Sequence, residues 1–154
     1  KFVIMGSGPR RDILLKMKDE LQLDNVQFFD AIPKNYIPSV LASINLSVIP
    51  LKKLELFKGA IPSKIFESLA MKKPVLLGVE GEAKALFIDE AKGGQAFTPE
   101  DHVDLAEKVL LLSADKERVR ELGVAGERYV KKNFDRKKII EEFSCILEDT
   151  VKEK

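Results

Sequence analysis

The segment Phe57–Ala83, FKGAIPSKIFESLAMKKPVLLGVEGEA, gathers the residues whose types and spacing could do chemistry. Proline has no amide hydrogen and favours the first helical position, so Pro62 is expected to open a helix. The next amides, on Ser63, Lys64 and Ile65, then have no partner inside that helix. With the helix dipole they form an anion site worth on the order of 0.3–2 kcal/mol per charge. Lys64 adds a full positive charge. Stepping about 100° per residue puts Ile65, Phe66, Leu69 and Ala70 on a core side and Ser63, Lys64, Glu67 and Met71 opposite. Four residues of helix rise about 6 Å, which sets Glu67 behind the anion site. There a carboxylate repels a diphosphate weakly and can accept two hydrogen bonds from the neighbouring hydroxyls of a ribose. A nucleoside diphosphate fits that order. An exposed Lys64–Glu67 pair on a solvated face fits the same spacing, and spacing alone leaves both readings open.

Weaker signals surround this one. GSGPRR, Gly6 to Arg11, follows an apolar run, with Asp30 some twenty residues on. Glycines permit close approach to a pyrophosphate and an acid could hold a ribose, which is the logic of a nicotinamide-dinucleotide site in an oxidoreductase. The third glycine of that fingerprint is Arg11 here, so a plain strand-to-helix turn, with Gly8 lining a cleft, is the preferred account. His102 has no second histidine to share a metal, and no metal is expected. Cys145 has no histidine near it in sequence and reads as inert. YVKKNFDRKK is basic and reads first as a solvated charge run, with membrane-surface contact as the lesser alternative. Gly81 and Glu82 fall at the carboxyl edge of a strand, where ligands bind in open parallel sheets. Glu82 either touches the ligand or complements a helix start.

The elements that must position these residues alternate short apolar runs with amphipathic stretches, the pattern of strand-helix-strand units around a parallel sheet. Strands are expected at Phe2–Met5, Val26–Phe29, Leu46–Ile49 and Val75–Val79, with a weaker one at Gln95–Phe97. Their near-continuous hydrophobicity suits a sheet covered on both faces. Helices are expected at Asp12–Leu23, at a short face of Tyr36, Ile37, Val40 and Leu41, and at Asp101–Ser113, Asp115–Lys132 and Arg136–Val151. In the last, Ile139, Ile140, Phe143, Ile146 and Leu147 share one stripe that should pack against the body, with Cys145 pointing away. The expected fold is α/β, a Rossmann-like doubly wound parallel sheet in one domain.

Bulk composition agrees. The chain has 154 residues, 45% hydrophobic and 33% charged, which describes a globular protein with room for a core. Its 26 basic and 25 acidic residues leave a formal charge of +1, which argues against nucleic acid as a partner. A single cysteine fits a reducing, cytoplasmic compartment. No apolar run approaches the roughly 20 residues of a membrane span. The first residues, KFVIMG, read as a strand, and the abrupt opening is what a piece of a longer protein would show.

The segment AIPSKIFESLAMKKPVLLGVEGEA resembles the signature region of the group 1 (family 4) glycosyltransferases. VIMGSGPRRDILL, LDNVQFFDAIP, ASINLSVIPL, GGQAFTPEDHVDLAEKVLLL and RYVKKNFD resemble, in order, successive blocks of that family's C-terminal, nucleotide-sugar-binding domain. The resemblance implies one half of a GT-B fold that grips a sugar nucleotide, usually a UDP-sugar. A further N-terminal domain, outside this sequence, would hold a cell-surface glycan or lipid-linked acceptor. It implies retaining transfer that uses no metal or cofactor, in the cytoplasm or at the inner face of the membrane. Glu67 would bind the ribose and Lys64 the departing diphosphate, the two forming the catalytic set. Ile61, Pro62, Ser63 and Lys64 match the loop and helix start that approach diphosphate and sugar, and Ile32 matches a position whose backbone contacts the base. Gly6, Gly8 and Glu82 complete the expected donor contacts. Two departures stand out. The family's first motif glutamate falls at Gly59, so Lys58 or Glu55 would have to replace it. The opening strand and basic loop of the family domain have no counterpart here. A non-catalytic nucleotide-binding module is the remaining alternative.

Overall fold

The computed structural model describes residues 1–152, whose contacts cluster into two compact units, one over residues 1–40 and one from Leu41 onward. In the first, β1 (Phe2–Met5) and β2 (Val26–Phe29) pair in parallel with Phe2 opposite Val26 and Met5 opposite Phe29. Helix α1 (Arg11–Glu20) connects them, as parallel pairing requires. Helix α2 (Ile37–Ser43) begins in this unit and runs into the next, with Pro38 in its first turn. The expectation of a sheet covered on both faces fails for β1. Phe2, Val3 and Ile4 are exposed, as are Ile13, Leu14, Met17 and Leu21 of α1, because among the described residues nothing in this unit packs over them.

The second unit carries the core. Strands β3 (Ser47–Pro50), β4 (Val75–Gly78) and β5 (Gly94–Ala96) form a parallel sheet in that order, with Ser47 opposite Val75 and Val75 opposite Gly94. Central β4 is buried at every residue, as its unbroken apolar run foretold. Successive side chains of a strand point to opposite faces, and β4 sorts its residues that way. Val75, Leu77 and Val79 join Ile65 and Leu69 of α3 (Ser63–Ala70), Phe87 and Val130 in one cluster. Leu76 joins Phe97, Leu112 and Leu122 in the other. Helix α5 (His102–Ala114) supplies Leu112, and α6 (Lys116–Asn133) reaches both clusters through Leu122 and Val130. Asp101 and Asp115 begin these helices as caps, each accepting amide hydrogen bonds at its first turn. Gly123 of α6 lies so close to the α3–β4 turn that a Cβ there would stand 2.1 Å from the carbonyl oxygen of Lys72.

Other expectations need correction. The strands at Leu46–Ile49 and Gln95–Phe97 each shift by one residue. After β4 the short α4 (Glu82–Lys84) continues as a π-helix over Ala85–Glu90, which the sequence pattern did not reveal. On α3 the buried residues are Ile65, Ser68 and Leu69, while Ala70 is exposed. Helix α7 (Arg136–Lys152) forms where expected, but Ile139, Ile140, Phe143, Ile146 and Leu147 are 45% to 62% exposed. The stripe is amphipathic without packing on the described body. The basic run divides by chemistry: Tyr129 and Phe134 enter an aromatic group with Phe66 and Phe87, at centroid distances of 5.0 Å for Phe66–Phe134 and 5.1 Å for Phe66–Phe87. Lys131 turns outward to pair with Glu127 at 2.7 Å.

Candidate functional site

The start of α3 is shaped by its proline. Pro62 has φ −61° and ψ 127°, so it stands just ahead of the helix as its N-cap and not at the first helical position. Its carbonyl accepts from the amide of Ile65 at 3.0 Å. The open donors are therefore the amides of Ser63 and Lys64, which have no protein partner among the described residues, while Ile65 leaves the expected set. No side chain caps this end. Ser63, Lys64 and Glu67 are all exposed. Lys64 and Glu67, three residues apart on this solvated face, make no ion pair with each other or with any other described residue. One exposed helix face thus presents two open amides, a free ammonium and, a turn further on, a free carboxylate.

What leads into α3 is equally defined. A 3₁₀ turn spans Glu55–Gly59, and the chain then extends through Ala60 and Pro62. Glu55 and Lys58, the two candidates to replace the motif glutamate, are bonded to each other at 2.8 Å. The hydrogen bond and charge of Glu55 raise the Lys58 ammonium above the usual lysine range. Ile61 is half-buried against the core. At the carboxyl end of β4, Glu82 is the first residue of α4 and is exposed. Lys52, Lys53, Phe57, Lys58, Glu80 and Pro99 line a small cleft at the carboxyl ends of the three strands. Lys52 and Lys53 escaped the sequence reading, although their place directly after an apolar strand marks them for this edge.

Gly6, Gly8 and Ile32 belong to the first unit. Gly6 follows β1 with φ 138°, and its amide donates to the carbonyl of Phe29 at 3.1 Å, so that donor is already engaged. Around Gly8 there is open space, and its carbonyl accepts from the amide of Arg11. Ile32 is half-buried beyond the end of β2. Asp30, the acid of the dinucleotide reading, is held by Arg11 at 2.8 Å. His102 opens α5 at the surface, Cys145 is exposed, and no group of acids, histidines or cysteines among the described residues could hold a metal. Among the described residues no helix is long and apolar enough to cross a membrane.

Residues 1–129 match the family model described as glycosyl transferases group 1. The chain belongs to that family. Its fold is shared with solved structures at low identity. Sucrose-phosphate synthase from Thermosynechococcus elongatus is 20% identical with a TM-score of 0.83 over 99% of this chain and 39% of its own. Anabaena HepE, solved in complex with UDP-glucose, is 20% identical with a TM-score of 0.79 over 96% and 40%. A glycosyltransferase from Rickettsia africae is 18% identical with a TM-score of 0.80 over 100% and 41%. The group 1 chain described here therefore spans about two-fifths of the length of these structures and has the Rossmann-like α/β fold of the C-terminal half of GT-B. No curated protein matches it significantly.

Proposed function

We propose that this domain binds the sugar-nucleotide donor, a UDP-sugar, of a retaining, metal-independent glycosyl transfer to a cell-surface glycan or lipid-linked acceptor. The observation that carries the reading is the open face of α3, with free amides at Ser63 and Lys64, an unpaired Lys64 ammonium and an unpaired Glu67 carboxylate in that order. In the reaction the bond from the anomeric carbon to the diphosphate oxygen breaks, and negative charge grows on the leaving phosphate. Preorganised donors aimed at that charge lower the barrier, and the α3 start with Lys64 supplies them. Glu67, about 6 Å behind, accepts the ribose hydroxyls. Ile61, Pro62 and Lys58 border the sugar and diphosphate, and Glu82 reaches the sugar. No general base is assigned to this half. The acceptor would be held by an N-terminal domain of the longer protein, at the cytoplasmic face of the membrane, and this domain alone binds donor without transferring sugar, since positioning and water exclusion need both halves.

The competing dinucleotide reading lacks the third glycine of its fingerprint, where Arg11 stands and pairs with Asp30 at 2.8 Å. Thermal melting with UDP, UDP-glucose, UDP-N-acetylglucosamine and NAD tests the assignment. UDP and at least one UDP-sugar should raise the melting temperature, and NAD should not. A shift with NAD alone, or with none of the four, refutes it.

A further inference from the structure

We propose that Gly81 is a positioning residue, which clamps the Glu55–Gly59 turn and through it sets the open start of α3. Gly81 caps α4 with φ 78° and ψ −139°, a region open essentially to glycine alone. A Cβ built there would lie 2.2 Å from the carbonyl oxygen of Lys58 and 2.8 Å from its Cα. These neighbours are backbone, so the conflict cannot be relieved by swinging a side chain. The turn itself is short and closed: the Phe57 amide donates to Leu54 and the Ala60 amide to Phe57. Three residues separate Lys58 from Pro62, with extended backbone at Ala60 and Pro62, so a displacement at Lys58 is handed on to Ile61 and the Ser63 amide. On the other side, the Gly81 carbonyl accepts from the Ala85 amide at 3.0 Å, which anchors the clamp to the helix behind it. Backbone must retreat by about 1 Å to admit a methyl group, a misplacement on the scale that costs a site up to about a hundredfold.

The functional part of this proposal rests on the nucleotide-sugar reading. Its test compares Gly81→Ala with Gly123→Ala, which meets the same kind of backbone conflict, 2.1 Å from the Lys72 carbonyl, away from the turn. Amide hydrogen exchange and calorimetric titration with UDP are read on both. In Gly81→Ala the Phe57 and Ala60 amides should exchange at least about tenfold faster and UDP affinity should fall about tenfold or more, whereas Gly123→Ala lowers the melting temperature and leaves both readings as in the wild type. Unchanged exchange at Phe57 and Ala60, unchanged UDP affinity in Gly81→Ala, or equal effects in both variants overturns the assignment. Wild-type protein that ignores UDP refutes the donor reading, and the exchange comparison then still decides the clamp. Should Gly81→Ala fail to fold, the wild type is decisive: Phe57, Ala60 and Ala85 should exchange as one cooperative unit, and Phe57 and Ala60 opening far faster than Ala85 overturns the clamp.

Discussion

Replacing Glu67 with alanine separates the proposed ribose-binding role from every structural one. Glu67 is exposed on α3 and has no bonded partner, so its removal breaks nothing in the fold. Alanine is the better helix former, and stability should stay within about 0.5 kcal/mol of the wild type. Binding is different. Each hydrogen bond to a charged group is worth about 1.5–3 kcal/mol, and a carboxylate facing two hydroxyls can accept two. The site is open to water, which competes for the same oxygens, so the lower end applies. The expected loss is about 1.5–3 kcal/mol, or roughly ten- to a hundredfold in UDP affinity. Calorimetric titration of both proteins with UDP and 2′-deoxy-UDP forms a double-mutant cycle. The wild type should favour UDP, and Glu67→Ala should bind the two equally and weakly. Equal UDP affinity in both proteins, or undiminished discrimination against the deoxy compound in the variant, would refute ribose recognition by this residue.

Two further predictions concern the scaffold. Phe87 is fully buried and contacts Phe66, Tyr129 and Phe134, so Phe87→Ala should cost about 3–5 kcal/mol in urea unfolding, and a cost below about 1 kcal/mol would contradict the packing. Tyr129, pushed up to about 12 by burial and by its hydrogen bond to Glu90 at 2.8 Å, keeps its proton in the folded state after the unfolded chain has lost it. Stability should therefore fall as pH rises from about 10 to about 12, and Tyr129→Phe should remove that component of the slope.

Much of this was readable in advance because it is local. The β4 run Val75–Gly78 is buried at every residue, and a strand sheltered on both faces announces itself by unbroken hydrophobicity. The helix starts expected at Asp101 and Asp115 are equally local, and both residues stand one position ahead of their helices as caps, a carboxylate beside the first free amides. Glu67 could be placed on the exposed face of α3 from helical geometry alone. Pro62 was misjudged by one position, because sequence names a residue suited to a helix start and leaves open which backbone angles it adopts there.

Composition and periodicity, then, determined the α/β class, the central strand and the polar face of α3. Each depends only on residues a few positions apart. Tertiary structure alone decided the rest. The aromatics of the basic run, Tyr129 and Phe134, turned inward because Phe66 and Phe87 lay waiting from distant parts of the chain. The stripe of α7 and the face of α1 remained exposed, since an amphipathic pattern declares a wish to be covered without supplying the surface that covers it. The seat of Gly81 beneath the Lys58 carbonyl is likewise set by two backbones brought together by the sheet, a proximity that no spacing within either segment encodes.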